Sequence, residues 1–397
     1  MTTCISLYLH IPFCLTRCSY CAFNTYTGQM ALIPTYVEML RRELSFAASH
    51  LPAHHVINTI YFGGGTPSLL PVQAVATILN HCATAFAWLS EVEITFEINP
   101  GTIDAHYLAT LRQTGVNRIS IGMQSAHDAE LALIARRHSI ADVQHTVQAA
   151  RTAGFDSLSL DLIYGIPRQT SPMWRQSLET AITLNPDHLS LYSLSVENAT
   201  PLEHQIARGT LPMPDDDQAA DMIEWATARL DQAGFQQYEI SNWAKPGFAC
   251  QHNVHVWRNL PYLGIGAGAH GCAAGVRYAN VLHPTDYITR LQEAPESDAA
   301  RPFPLTPAAD EIEQLGDADI MSDTMILGLR LTQEGIAAGD FHARFGRDLW
   351  AIYGAELDRL IAQGLLERIT TSDPTQDRVR LTPRGRLLGN HVFAAFV

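Results

Sequence analysis

Short apolar runs alternate with longer amphipathic stretches along the first half of the chain. The runs are rich in β-branched and aromatic residues, which is typical of buried strands. They cover Ser6–Ile11, Val56–Phe62, Val92–Ile98, Arg118–Met123, Ser157–Tyr164 and His188–Leu194. Helical stretches separate the runs, and Pro34 and Pro71 stand where a first helical turn accepts proline. Six such repeats over residues 1–200 predict an α/β fold whose parallel sheet curls into a partial (β/α)6 barrel.

The pattern changes after residue 200. A helix is predicted over Asp215–Ala233, and it leads into the apolar segment Tyr238–Trp243 and the glycine-rich segment Gly264–Gly271. We expect residues 201–293 to extend the sheet or to cover its mouth.

The last quarter of the chain predicts a separate unit. Residues 294–316 are rich in proline, alanine and acidic residues, and this composition predicts a linker. Residues 317–397 begin with helices and continue with two strand-like segments, Leu365–Thr371 and Arg378–Thr382, before a final helix. This order predicts a C-terminal helical, winged-helix-like domain.

Composition and charge limit the classes of partner. An apolar fraction of 47% and a charged fraction of 17% are typical of a soluble globular protein. The 26 basic and 40 acidic residues give a net charge of −14, whereas a nucleic-acid binder needs a basic surface. We therefore expect no nucleic-acid partner and favour packing or partner docking for the winged-helix-like unit. No apolar run approaches the length of a membrane span, so we expect a cytoplasmic protein, although a peripheral membrane contact stays compatible with an acidic surface.

Three cysteines lie within eight residues, at Cys14, Cys18 and Cys21, with the spacing C-x3-C-x2-C. Three thiolates can hold three irons of a [4Fe–4S] cluster and leave the fourth iron open for a small molecule. A structural zinc site is the main alternative, but zinc usually takes four ligands from two pairs, and the other four cysteines are scattered singly. A disulfide framework is disfavoured by the odd number of seven cysteines. The spacing therefore favours the cluster over zinc and over incidental thiols.

Glycines and carboxylates follow the predicted strands at their carboxyl ends, where functional residues of such sheets gather. Gly63-Gly64-Gly65-Thr66 allows close backbone approach, and its amides could serve an anion or the polar end of an amino acid, although a tight turn is the commoner reason for such a run. Glu97 and Asp161 lie in apolar strands, where an unpaired carboxylate is costly. Either they form salt bridges inside the barrel, with Arg118 or Arg136, or they bind hydroxyl or ammonium groups of a ligand.

Five segments together resemble radical S-adenosylmethionine (SAM) proteins of the coproporphyrinogen III dehydrogenase group. These segments are Tyr8–Cys21, Tyr61–Ser68, Phe96–Pro100, Ser120–Ser125 and Asp161–Pro167. The resemblance implies a [4Fe–4S] cluster on the three cysteines, SAM on the open iron, and an electron donor such as flavodoxin or ferredoxin. It also implies a set of SAM-contacting residues: Tyr8, Tyr20, Gly64, Gly65, Thr66, Glu97, Gln124, Arg136, Asp161 and Ser195.

Within that group the chain is most similar to the HemW-type heme chaperones. The dehydrogenases typically carry a further cysteine two positions after the third, where this chain has Phe23. The chaperone pattern His-Asn-x-x-Tyr-Trp is matched except that Val256 replaces the tyrosine. The resemblance implies heme binding, with candidates at His252, Asn253, His255 and Trp257, and delivery of heme to respiratory apoproteins. The alternative function is that of a radical SAM enzyme acting on a tetrapyrrole, by oxidative decarboxylation or by heme ring opening.

Overall fold

The computed structural model describes residues 3–295 and 301–397. The first half alternates strands and helices. Its elements are β1 (Thr3–Ile11), β2 (Phe13–Cys14), β3 (Tyr26–Thr27), α1 (Ile33–His50), β4 (His55–Gly64), α2 (Val72–Ala85), β5 (Trp88–Ile98), α3 (Ala105–Gln113), β6 (Arg118–Gln124), α4 (Asp128–Leu133), α5 (Ile140–Thr152), β7 (Ser157–Tyr164), α6 (Ser171–Thr183) and β8 (His188–Ser193). Side chains at helix starts fix several of these boundaries. Ser139 and Asp142 form a reciprocal capping box at the start of α5, and Thr170 caps α6.

Strands β1, β4, β5, β6, β7 and β8 pair in parallel, in that order. They correspond to the six strands predicted from the sequence, so the α/β partial barrel is confirmed. The sheet continues on both sides of the six strands, and in the described residues its two edges do not pair with each other. The barrel is therefore open along one side.

The two faces of β1 show how the sequence builds this barrel. Ile5, Leu7 and Leu9 are fully buried in the main hydrophobic core, which lies between the sheet and its helices. The alternate residues Ser6 and Tyr8 instead contact polar and aromatic side chains of neighbouring strands inside the barrel. A period of two along the strand thus separates an apolar outer face from a polar interior.

The region after the barrel extends the sheet, as one of the two expectations for residues 201–293 had it. Its elements are α7 (Pro201–Ala207), α8 (Asp216–Gln232), β9 (Gln236–Glu239), β10 (Asn242–Ala244), α9 (Gln251–Trp257), β11 (Tyr262–Ile265), β12 (His270–Ala273), β13 (Val276–Asn280), α10 (Pro284–Glu293) and β14 (Ala309–Gln314). The segment Tyr238–Trp243 spans a turn between β9 and β10. Strand β10 pairs antiparallel with β8, and β9 pairs antiparallel with β10 at the edge of the sheet. On the other edge β11 joins β1 in parallel, and β12, β13 and β14 follow antiparallel.

The expectation that 294–316 forms a linker is wrong for its second half. Strand β14 pairs with β13 over Ala309–Gln314 and is the last strand of the sheet. Only its first residue is buried, so the strand lacks the apolar alternation that would have revealed it. The part of the predicted linker at 296–300 lies outside the described residues.

The C-terminal unit has its own hydrophobic core, which includes Met325, Phe341 and Leu360. Its elements are α11 (Asp317–Gly328), β15 (Ile336–Ala337), α12 (Ala338–Phe345), α13 (Leu349–Ala362), β16 (Leu366–Ile369), β17 (Arg378–Leu381), α14 (Pro383–Leu387) and α15 (Gly389–Phe393). Helices and a small sheet in the order β15-β17-β16 give the expected winged-helix-like arrangement. Within residues 3–295 and 301–397, no helix combines the length and apolar character needed to cross a bilayer.

Candidate functional site

A cavity of about 390 Å³ opens at the carboxyl ends of the parallel strands. This volume lies in the range of small-molecule and cofactor sites, roughly 300–1,000 Å³. The structure brings most of the predicted cluster and SAM residues to its wall: Cys14, Cys18, Tyr20, Cys21, Gly64, Gly65, Thr66, Glu97, Gln124, Arg136, Asp161 and Ser195. Of the four heme candidates, Asn253 alone lines the cavity.

The three closely spaced cysteines lie on one loop at the cavity mouth. All three are free and half-buried, and the Cys14 Sγ lies 3.5 Å from the Thr66 Oγ1. Burial raises the pKa of the Cys14 and Cys21 thiols.

A cluster and a zinc ion make different demands on the positions of the thiols. Among the described residues, no group of three His, Cys, Asp or Glu side chains converges where one metal ion could be held. Zinc requires its ligands to meet at about 2.0–2.3 Å from a single ion. Three thiolates that each bind a different iron have no such requirement, and the cluster on this loop stays a prediction.

The glycine segment after β4 holds the cysteine loop in place. The amide of Gly65 donates to the Ile11 carbonyl at 2.8 Å, and the Thr66 amide donates to the Phe13 carbonyl at 2.9 Å. A Cβ on Gly65 would lie 2.7 Å from that same Phe13 oxygen, so a side chain here has no room. These two amides therefore bond the loop that carries the cysteines, while the amide of Gly64 bonds the Glu97 carboxylate.

Arg136 connects the loop to two strand ends. Its Nη2 donates to the Asn99 Oδ1 at 2.8 Å and to the Gly122 carbonyl at 2.9 Å, while its Nη1 lies 3.5 Å from the Cys18 Sγ. Asn99 in turn donates to the Thr66 Oγ1 at 2.9 Å. Asn99 was missed as a site residue, although it follows Glu97 by two positions and so points to the same face of the chain.

Glu97 and Asp161 line the cavity wall without an ion pair to Arg118 or Arg136, so the salt-bridge alternative is not what the structure shows. Glu97 accepts a hydrogen bond of 2.8 Å from the Tyr61 hydroxyl. Burial raises the pKa of Glu97 to about 7, against the lowering effect of that hydrogen bond. Burial likewise raises the pKa of Asp161, while hydrogen bonds from serines, one of them Ser120 at 3.0 Å, oppose the rise. Both acids are available to a polar ligand.

Gln124 and Tyr8, two other predicted SAM residues, differ in whether their side chains reach the cavity. Gln124 ends β6 in a left-handed conformation, with φ of +64°, where the pairing with β7 shifts register. Such a conformation is uncommon outside glycine and turns the side chain toward the cavity, which it lines. Tyr8 differs, because its ring stacks on Tyr61 at 6.2 Å inside the barrel and does not reach the cavity wall.

The heme candidates lie on α9, which closes the barrel interior. His252 is 6% exposed, and its Nδ1 lies 2.8 Å from the Thr59 Oγ1. Burial lowers the pKa of His252 to about 3, with His255 and Arg118 adding to the effect, so the imidazole is neutral. A neutral imidazole is the form that ligates iron.

His255 and Trp257 do not share one open surface with His252. The His255 Nδ1 lies 3.1 Å from the side-chain Nδ2 of Asn58, and the His255 Nε2 lies 2.8 Å from the Pro261 carbonyl oxygen. Both nitrogens are thus in use, so His255 does not offer a free ligand to replace His252. Trp257 packs under the C-terminal unit, with the Arg330 guanidinium 4.3 Å from its ring.

Family models match both units of the chain. A model described as the radical SAM superfamily matches residues 8–181, and a model described as the HemN C-terminal domain matches residues 315–388.

Full-length relatives and one solved structure give the same relationship. The chain is 38% identical to the heme chaperone HemW of Mycobacterium tuberculosis strain H37Rv, over 97% of this chain and 93% of that protein. It is 35% identical to the heme chaperone HemW of Bacillus subtilis, over 99% of both. Coproporphyrinogen III oxidase (HemN) from Escherichia coli, a radical SAM enzyme, superimposes with a TM-score of 0.83 and 25% identity, over 100% of this chain and 90% of that one.

Proposed function

Because the chain belongs to the HemW family of radical SAM proteins, we propose that it is a heme chaperone that holds a [4Fe–4S] cluster with SAM, binds heme, and delivers it to respiratory apoproteins. One observation carries the proposal. A single cavity is lined by three half-buried thiols, a glycine segment and two acids that form no ion pair. The relatives named heme chaperone HemW match 97–99% of the chain that forms this cavity.

The residues present fit the implied cofactors. Cys14, Cys18 and Cys21 would hold three irons, and the Arg136 guanidinium would stabilise the thiolate of Cys18. Glu97 and Asp161 would accept hydrogen bonds from the ammonium or hydroxyl groups of SAM. When bound, the cluster and SAM supply one-electron chemistry, for which a flavodoxin or ferredoxin would be the donor.

Heme would bind beside α9, which presents Asn253 to the cavity and packs His252 against Thr59 of β4. The acidic chain argues against a nucleic-acid partner. A recipient apoprotein in a respiratory membrane would bring the protein to that surface by peripheral contact.

A tetrapyrrole-modifying radical SAM enzyme is the second candidate, favoured by the superposition on HemN over the whole chain. Phe23 argues against it, because it occupies the position of the extra dehydrogenase cysteine and is 69% exposed at the cavity rim.

Three measurements test the proposal. Anaerobically reconstituted protein should contain about four irons and four sulfides, and Cys14→Ala should lose them while Cys4→Ala keeps them. A heme titration should give a Soret shift that is altered in His252→Gln, whose side-chain amide can still donate to the Thr59 hydroxyl, and unaltered in the exposed control His106→Ala. Incubation of reduced protein with SAM and coproporphyrinogen III should give no protoporphyrinogen. Formation of that product would favour the enzyme over the chaperone, and a Soret band identical in wild type and His252→Gln would remove His252 as the ligand.

A further inference from the structure

Arg118 places a buried positive charge at the floor of the cavity. It is the first residue of β6, 3% exposed, and it lines the cavity. On the parallel strands β6 and β5, Arg118 is opposite Thr95. Two residues further along both strands, Ser120 is opposite Glu97. Two strand residues span about 6.6 Å, so the guanidinium lies one layer below the acid at Glu97.

No hydrogen bond or ion pair engages this guanidinium within residues 3–295 and 301–397, and its Nε is buried without a partner. Burial disfavours this charge, but attraction from surrounding groups, Glu93 among them, outweighs the burial and raises the pKa of Arg118, so the guanidinium stays charged while its donors remain free. A cation held in this way in a cavity wall is a place for an anionic ligand group.

The acid nearest to the floor on β5 is already engaged. The Glu93 carboxylate accepts from the backbone amides of Gln251 and His252, at 3.0 Å each, and lies 3.5 Å from the Cys250 Sγ. It therefore fixes the start of α9, and it attracts Arg118 electrostatically without a hydrogen bond or ion pair to it.

The two acids above the floor are engaged by neutral donors. Glu97 accepts a hydrogen bond from the Tyr61 hydroxyl, and Asp161 accepts hydrogen bonds from the hydroxyls of Ser120 and Ser159. The proposed function assigns both acids to SAM, whose ammonium and hydroxyl groups are donors. SAM bound to these two acids would leave the guanidinium of Arg118 without a hydrogen-bond partner.

We propose that Arg118 anchors a carboxylate of the tetrapyrrole, a heme propionate, at the cavity floor. This inference rests on the proposed function and deepens it, because it names the group of the ligand that enters the barrel. The planar fork of arginine matches a carboxylate with two parallel hydrogen bonds, and the low dielectric of the barrel strengthens such a pair. The rest of the macrocycle then occupies the cavity beside Asn253.

The test compares ferric heme with its dimethyl ester, in which both carboxylates are blocked, by anaerobic titration of the reconstituted protein. Wild type should bind the free acid roughly ten- to hundredfold more tightly than the ester, the range of a charge-assisted hydrogen bond. Arg118→Gln should bind both forms with the affinity that wild type has for the ester, and Arg118→Lys should recover part of the difference. The exposed neighbour variant Arg137→Gln should behave as wild type.

The outcomes separate this inference from the function on which it rests. Equal affinity of wild type for heme and its ester overturns the propionate anchor and leaves heme binding intact. A loss of SAM affinity in Arg118→Gln, with heme affinity unchanged, assigns the cation to SAM and overturns the anchor as well. Absence of any heme binding by wild type overturns the chaperone itself.

Discussion

The Nη1 of Arg136 lies 3.5 Å from the Sγ of Cys18, while the other terminal nitrogen of the same guanidinium bonds the Gly122 carbonyl. One side chain thereby connects the cysteine loop to β6, across 118 positions of sequence. The fit is tight, since a Cβ on Gly122 would lie 2.6 Å from the Arg136 Nη2. The position of the loop relative to the strand ends therefore depends on Arg136.

Replacement of Arg136 by alanine should weaken SAM binding. A hydrogen bond to a charged group contributes about 1.5–3 kcal/mol, so the dissociation constant for SAM should rise roughly ten- to hundredfold. Calorimetry on the anaerobically reconstituted protein measures the change, with the exposed neighbour variant Arg137→Ala as the control. An unchanged dissociation constant in Arg136→Ala would show that this network is structural only.

Gly65→Ala should displace the cysteine loop. The new methyl group would lie 2.7 Å from the Phe13 carbonyl and 2.9 Å from the Ile11 carbonyl, both backbone atoms that cannot swing aside. We expect the free energy of unfolding to fall by about 1–3 kcal/mol, as for overpacking, and iron incorporation to fall with it. Gly354→Ala in α13 is the matched control, because its Cβ meets nothing within 4 Å and alanine favours a helix. Full iron content in Gly65→Ala would contradict this account.

SAM binding should strengthen as the pH rises through about 7. Burial raises the pKa of Glu97 from 4.5 to about 7, so the carboxylate needed to accept from SAM forms only near neutrality. The contribution of Glu97 to the free energy of unfolding changes with pH in the opposite direction and falls as the pH rises. The folded protein keeps a proton that the unfolded chain releases, so that contribution is full below pH 4.5 and is lost as the pH rises through about 7.

The matching experiment measures SAM affinity and unfolding between pH 5.5 and 8.5 in wild type, Glu97→Gln and the exposed control Glu91→Gln. Glu97→Gln should lose the step in affinity, and its stability relative to wild type should increase across this interval. A wild-type affinity profile without a step near pH 7 would rule out Glu97 as the titrating group.

Arg330→Gln should loosen α9. The guanidinium lies 4.3 Å from the Trp257 ring and 5.7 Å from the Phe393 ring, and thus joins α9 to the C-terminal unit. Partly buried cation–π pairs contribute about 0.5–2 kcal/mol, so hydrogen exchange at 251–257 should accelerate in the variant. The exposed Arg347→Gln serves as the control. Protection of α9 that is equal in both variants would mean that the C-terminal unit does not hold this helix.

The sequence predicts the barrel well because each strand is short, apolar and followed by a recognisable helix start. Arg118–Gln124 and Ser157–Tyr164 end within one residue of their predicted bounds. Strand β14 was missed because its exposed residues show no alternation. Edge strands with one neighbour are held by backbone pairing, which the side-chain pattern does not record.

The site was predicted less evenly, for a different reason. The cysteines and Glu97 stand out because their residue type is unusual where it occurs. Arg118 is different. It stands out only because no side chain from a neighbouring strand forms a hydrogen bond with it, and those strands are distant in the sequence. His255 shows the converse, since Asn58 and Pro261 occupy both of its ring nitrogens and only the folded structure reveals them.

The polar interior of the barrel has a consequence for the amount of protein in a cell. The free donors of Arg118 and the buried carboxyl group of Glu97 offer partners to a ligand, and every ligand that binds the folded barrel adds to its stability by mass action. Chaperones and proteases sample the unfolded fraction continuously, and a difference of 1–2 kcal/mol can change abundance several-fold. The steady-state level of this protein should therefore follow the supply of iron, sulfide and tetrapyrrole, which makes its turnover a readout of cofactor status.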